Sequence, residues 1–370
     1  MNARSAPLRR SAWRYLLDWR ALIGIAISVV LLWWNFKNED LAEIWRELRT
    51  ADPLWHLLSA AAATGVFWIR TWRWKALLES AAPGTTFRSR FAAVMIGFMG
   101  NNLLPLRAGE FARAYALTRT ERVSMVSSFG SLVIERLFDG IFVVALLFVA
   151  MALPSFPLSA AGDNTYVAVA RGLMAAIVVA FAVLFVLVWK PEQSVRLFER
   201  IAARVLPLKL RRPLIDALES FLRGVAVLRN PRLALRASLW SLVLWLFNAL
   251  GFYIGFLAFD IDLPFSAALF LQSAIALAVS IPSGPGFFGP FEAATRFVLV
   301  TMFGGDATHA LAYAVGFHLA GFIPVTLIGL YYAWRLGMSL ADVSATEEAV
   351  ELEVEAETGV DPRDDEVGAE

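Results

Sequence analysis

The chain has 370 residues, 58% of them hydrophobic, with a mean hydropathy of +0.61 and a formal net charge of +1. Apolar content at this level, in repeated runs almost free of charge, excludes one large soluble core and describes a multi-pass membrane protein. The absence of cysteine excludes disulfide frameworks, thiolate nucleophiles, iron–sulfur clusters and cysteine-based zinc sites.

In chain order, an arginine-rich start leads into an apolar run from Ala21 to Phe36. That run ends in LWWNFKNED, with no small-residue cleavage site, so it reads as an anchor with Trp33 and Trp34 at the interface. Further spans are predicted at Leu54–Ile69, Phe129–Leu153, Ala168–Trp189, Ala237–Phe259 and Leu311–Ala333, six crossings in all. Lysine and arginine number five before the first span, five in 70–90, four in 107–122 and eleven in 190–236. The opposite loops hold only Lys37, Arg46 and Arg49, which places both termini in the cytoplasm of a cell (inner or plasma) membrane protein.

Between the second and third spans stands NNLLPLRAGEFARAYAL, Asn101–Leu117. The apolar stretch before it, Phe91–Leu104, is flanked by basic loops on both sides and has 14 residues. As a helix it reaches about 21 Å, short of the roughly 30 Å hydrocarbon core. A re-entrant hairpin entering from the cytoplasm and turning at Asn101–Pro105 is predicted, buried by protein or lining a wet cavity. Residues 195–229 alternate an arginine stripe (Arg196, Arg200, Arg204) with an apolar one (Val195, Phe198, Ile201, Val205), the pattern of amphipathic helices on the cytoplasmic surface.

A second interruption, SIPSGPGFFGPFEAATRF at Ser280–Phe297, echoes the first: Pro105 precedes Gly109 by four residues, and Pro282 precedes Gly286 by four. The breaks comprise Pro105, Gly109, Pro282, Gly284, Gly286 and Gly289. With the second hairpin, Phe265–Phe303, opening outward, the order span, hairpin, span occurs twice in opposite orientation. The expected fold is therefore an all-α polytopic membrane protein of eight-helix type, with about six full spans plus two re-entrant hairpins in an inverted repeat. Transporters of that kind place broken helices near the midplane and aim their positive N-terminal ends, here near Gly109 and Gly289, at an anionic substrate.

From Ser339 to Glu370 the chain carries 12 acidic residues against one arginine, leaving +12 on the rest. Residues 1–338 are thus read as the membrane domain and 339–370 as an acidic, disordered cytoplasmic tail, with contact to a basic partner as the alternative.

Ionisable groups within spans cost about 2.5–3.5 kcal/mol each on insertion scales, so each needs a partner or a wet cavity. The candidates fall in three sets: Arg107, Glu110 and Arg113; Glu135, Arg136 and Asp139; and Glu292 with Arg296. Spacings of three or four put each set near one helix face. Arg107, Arg113 and Arg136 are assigned to a lipid phosphate, which guanidinium matches bidentately. Glu110, Glu135, Asp139, Glu292 and Arg296 support them or carry protons; the competing reading is a structural ion cluster. Asn101 and Asn102 either donate amides to the substrate or cap freed backbone groups. His318 either relays protons or is an interhelical histidine with satisfied partners.

Three ordered motifs, NNLLPLRAGEFARA, then ERLFDG at Glu135–Gly140, then IPSGPGFFGPFE at Ile281–Glu292, make the chain resemble the transmembrane region of the lysylphosphatidylglycerol synthase family, or flippase-like domains. The resemblance covers residues 20–335 and implies translocation of a lipid or lipid-linked headgroup between leaflets, without the soluble aminoacyl-transferase domain of full-length members. The partner it implies is a membrane lipid with an anionic headgroup. No cofactor, metal or nucleic acid is expected, and no enzyme activity. Two other functions stand against it: a membrane glycosyltransferase or lipid-modifying enzyme using the KNED carboxylates at Lys37–Asp40, and a non-transporting scaffold for a cytosolic or membrane biosynthetic enzyme.

Overall fold

The computed structural model describes residues 19–79, 82–105, 107–123, 125–157, 193, 195–200 and 230–339. The expected span at Ala168–Trp189, the surface helices beyond residue 200 and the acidic tail from residue 340 lie outside the described residues.

Among the described residues all regular structure is helical. Besides the helical residues 195–200, ten α-helices follow one another: α1 (Trp19–Phe36), α2 (Leu41–Thr50), α3 (Pro53–Leu78), α4 (Phe87–Leu103), α5 (Gly109–Thr120), α6 (Met125–Ala152), α7 (Pro231–Ala258), α8 (Phe265–Ala278), α9 (Pro290–Arg296) and α10 (Ala307–Arg335). A π-helical turn, Phe297–Met302, prolongs α9. Side-chain caps set several starts. Asp52 accepts from the backbone N–H of Leu54 at 2.8 Å and Trp55 at 3.0 Å ahead of Pro53, and Asn230 accepts from Arg232 and Leu233 ahead of Pro231. Asp306 does the same for His309 at the start of α10. These caps begin the helices one to six residues before the apolar runs that announce them.

Helices α7 and α10 are long and apolar enough to cross a membrane, and the pair α1–α2, bent by 86°, raises that number to three. Of the six expected crossings five fall on described residues, and two of these, on α3 and α6, do not pass by apolar content, for a physical reason. Helices α3 and α6, 26 and 28 residues long, have sufficient length, but α3 carries Arg70, Arg73 and Lys75, and every 18-residue stretch of α6 contains Glu135, Arg136 and Asp139. Arg70 and Arg73, counted above among loop charges, lie on α3 and are buried.

Helix α3 packs along α7, and α10 packs against both and against α4; α6 lies against α3, α5 and α8. The two interrupted regions are helical hairpins. In the first, α4 and α5 pack against each other around the break at 104–108, so closely that a methyl group on Gly109 would lie 1.8 Å from the Gly97 carbonyl oxygen. In the second, α8 and α9 pack together, and the break between them lies on α1, where Gly284 N–H donates to Ser28 Oγ at 2.9 Å. Past the bend, α2 caps its N-terminus with Asp40, buries Ile44 and leaves Leu41 and Trp45 exposed, the disposition of an interfacial helix.

Candidate functional site

The two chain breaks meet. Arg107, in the first, adopts a left-handed backbone (φ 55°) that a non-glycine residue takes only at a cost of order 1–3 kcal/mol, and so does Phe287 (φ 61°) in the second. The Arg107 guanidinium lies 5.7 Å over the Phe287 ring and donates through Nη2 to the carbonyl of Val279, at the C-terminal end of α8, at 2.6 Å. Both strained residues face a cavity of ≈ 490 Å³. Its polar wall holds Arg70, Asn101, Asn102, Arg107, Glu110, Arg136 and Asp139; Asn248, Gln272 and His318 face it from α7, α8 and α10. Apart from Ser280 the rest of the lining is apolar, chiefly phenylalanine, valine, alanine and leucine.

Behind the polar wall is a buried ion cluster built from α3, α5 and α6. Glu135, 0% exposed, accepts both prongs of Arg113 at 2.9 Å each, and meets Arg70 at 2.9 Å, Arg73 at 3.2 Å and Arg136 at 3.3 Å. Asp139, one turn on, takes Arg73 at 2.5 Å, Arg70 at 3.2 Å and Arg136 at 3.5 Å. Arg113 also stacks 4.0 Å from the Trp74 ring, whose Nε1 donates to Ser131. With Arg107 and Glu110 included, five arginines stand against three carboxylates. The wall itself, Arg70, Arg107 and Arg136 against Glu110 and Asp139, keeps one positive charge and the cluster behind it one more, in a low-dielectric setting where uncompensated charge is expensive and an anion is welcome.

The sequence-predicted residues are thus distributed over different tasks. The triplet Arg107, Glu110 and Arg113 does not share one helix face: Arg107 precedes the helix start, Glu110 turns to Arg136 at 3.4 Å, and Arg113 turns to Glu135. Arg136, with its side chain 37% exposed, and Arg107 face the cavity, whereas Arg113 stands behind it. Asn101 lines the cavity; Asn102 does so too and donates to Thr326 at 2.9 Å and to the Phe322 carbonyl, tying the first break to α10 beside Pro324. Arg296 does not pair with Glu292. It binds Glu39 at 2.7 Å and the Asn35 carbonyl, while Glu292 turns to His318 at 2.7 Å. The helix start at Gly289 is closed by its own chain, since Gly289 N–H donates to Glu292 Oε2 at 2.6 Å; that positive end is not offered to a ligand. The start at Gly109 has no side-chain cap.

Arg70 and Arg73 are the partners that sequence reasoning missed. Their signal was the spacing of three in RTWRWK, which puts both on one face of a continuing helix. Among the described residues no group of His, Asp and Glu could hold a metal ion.

The model of the lysylphosphatidylglycerol synthase TM region matches residues 21–329, which takes in both breaks, the cavity and the ion cluster. The chain belongs to this family. Members similar to it include a UPF0104 membrane protein of Methanothermobacter thermautotrophicus, 27% identical over 72% of this chain and 82% of that protein. A second UPF0104 membrane protein of the same organism is 24% identical over 84% of this chain and 91% of its own length. Glycosyltransferase AglD of Haloferax volcanii is 25% identical over 89% of this chain, which spans 56% of that protein. No solved structure matches. As a member of this family the chain is a multi-pass membrane protein.

Proposed function

We propose that this protein moves an anionic lipid, or a lipid-linked intermediate bearing phosphate, between the leaflets of the cell membrane. The observation that carries the reading is the junction of two chain breaks at one cavity with three guanidiniums against two carboxylates on one wall and mostly apolar side chains on the others. A phosphate headgroup fits the first wall and the base of its hydrocarbon chains fits the second; the volume lies in the range of small-molecule sites.

In this reading Arg107 and Arg136 contact the phosphate, Asn101 and Asn102 supply amides beside them, and Glu110 orients Arg136. Arg113 acts at one remove, by fixing Glu135, which with Asp139 holds the cluster together. The two hairpins enter from opposite faces as an inverted repeat, α3 and α6 cross the membrane beside α1, α7 and α10, and both termini are cytoplasmic. The family match and the partnering of the α3 and α6 charges support this arrangement.

The name of the glycosyltransferase relative raises the question of an enzyme. Here Glu39 of KNED is engaged by Arg296 and Thr308, and Asp40 caps α2; these structural engagements of both carboxylates support transport over sugar transfer. Purified protein in liposomes with fluorescent phosphatidylglycerol, followed by dithionite quenching, tests the proposal. Wild type moves this lipid faster than the zwitterionic phosphatidylcholine analogue, and Arg107→Gln lowers the anionic rate at least ten-fold with the fold intact. Equal rates for the two lipids, or an unchanged rate in the variant, sink it.

A further inference from the structure

Both ring nitrogens of His318 face oxygen. Nε2 is 2.9 Å from the Gly286 carbonyl and Nδ1 is 2.7 Å from Glu292 Oε1. A carbonyl only accepts, so Nε2 bears a proton; Nδ1 then meets a carboxyl oxygen at a distance where two lone pairs repel unless a proton lies between them. Either an imidazolium donates to a carboxylate, or a carboxylic acid donates to a neutral imidazole. In both cases the pair holds one proton more than a neutral histidine beside an ionised glutamate. Glu292 Oε2 is occupied by Gly289 N–H, so the proton belongs at Oε1. Phe291 and Phe288 stack on the imidazole with centroids at 4.2 and 4.5 Å, and Glu292 is 1% exposed, which seals the pair from all sides but the cavity that His318 lines.

The pair also has a mechanical position. It binds the second break to α10, through Gly286 (φ 69°) on one nitrogen and the first turn of α9 on the other. Removing the proton sets a lone pair against a carboxylate and loosens that joint.

We infer that Glu292 and His318 form a proton-binding site whose loading is coupled to passage of the anionic lipid, so that transport is proton-linked; this rests on the reading in the preceding section. The charges around the pair supply the coupling. No ionisable residue occurs on α8, Arg296 on α9 is engaged by Glu39, and His309 on α10 is bound to the Phe259 carbonyl. What faces the pair across the cavity is Arg70, Arg107 and Arg136 against Glu110 and Asp139, a net positive field. That field opposes the extra proton while the cavity is empty, and a phosphate entering cancels it. Anion and proton therefore favour each other's binding, and by linkage the effect is reciprocal.

The chain has three histidines, so nitrogen-15 spectra of the full-length protein in nanodiscs resolve each imidazole, with His318→Gln assigning the signal. In wild type the shared proton shows either on His318 Nδ1, so that both ring nitrogens are protonated, or on Glu292, as a protonated carboxyl in the infrared carbonyl region; Glu292→Gln, whose uncharged amide can donate to Nδ1, abolishes both signals. Replacing phosphatidylcholine by phosphatidylglycerol in the nanodisc moves loss of the proton to higher pH. In liposomes, an imposed pH gradient changes the rate of fluorescent phosphatidylglycerol movement several-fold for wild type and not for Glu292→Gln or His318→Gln. A wild type with His318 Nδ1 unprotonated and no protonated carboxyl that Glu292→Gln removes overturns the site, and equal gradient dependence in wild type and variants overturns the coupling. Wild type that moves no labelled lipid under any gradient overturns the transport reading and the coupling with it, while the spectra alone decide the proton site.

Discussion

At Glu135 four guanidiniums converge on one carboxylate inside the protein. Removing that charge takes from Arg113 its carboxylate and leaves Arg70, Arg73 and Arg136 to share Asp139, in a medium that cannot solvate the surplus, a loss of about 3–5 kcal/mol. Glu135→Gln is therefore expected to lower the thermal midpoint of the detergent-solubilised protein sharply, and the apolar double variant Glu135→Met with Arg113→Met to recover part of the loss. A surface carboxylate behaves differently. Glu121, after α5, accepts from the Thr86 N–H at 2.9 Å at the start of α4. Partial burial pushes its carboxyl upward, but hydrogen bonds from the Thr86 backbone and from Ser89 and Thr86 hydroxyls, with Arg90 nearby, hold it below the usual carboxylate value. A depressed carboxyl contributes stability that is fully present above the unfolded value near pH 4.3 and is lost as pH falls through the lower folded value. The difference in thermal midpoint between wild type and Glu121→Gln should be constant above about pH 5 and shrink on acidification; a difference that persists to the lowest pH at which the protein stays folded refutes the assignment.

The hairpins carry the next level of the argument. Helices α4 and α5 touch through Gly97 and Gly109, where backbone meets backbone and no flexible side chain can give way. Gly109→Ala should separate the two limbs and widen the cavity's first wall, costing about 3 kcal/mol or more, as severe overpacking does; its folded yield, measured by size-exclusion chromatography of the solubilised protein, should fall well below that of Gly140→Ala, where a methyl group on α6 meets nothing within 4 Å. The breaks themselves were legible because proline and glycine at Pro105, Gly109, Pro282 and Gly286 cannot continue a helix unaided. Their partners were not. Arg107 reaching Val279 spans 172 positions and Arg70 reaching Glu135 spans 65, and neither contact has a local signature. The extent of α3 was misread for a related reason: hydropathy ends the helix at Ile69, whereas the next arginines are stabilised by acids on α6 that a window along the chain never sees. His318 was visible as a polar residue in an apolar helix, but its two acceptors became apparent only with the fold.

For the molecule as a whole, the chain's lack of cysteine is useful: any single introduced cysteine is its only thiol. Arg122 follows the first hairpin and Asp262 precedes the second, and both are exposed. In the proposed inverted arrangement, a membrane-impermeant maleimide should label Arg122→Cys and Asp262→Cys from opposite sides of sealed vesicles. Labelling from the same side removes the inverted repeat. The distribution of charge also bears on how the protein is made. Helix α3 leaves the ribosome carrying Arg70 and Arg73, and the acids that neutralise them follow 62 to 69 residues later. At about 5–20 residues per second, that interval is roughly 3 to 14 s. In the proposed arrangement α3 holds during that interval two guanidiniums that lipid rejects, and is expected to wait near the interface and enter in company with α6. Biogenesis on that arrangement is a pairing reaction between helices and not a sequence of independent insertions.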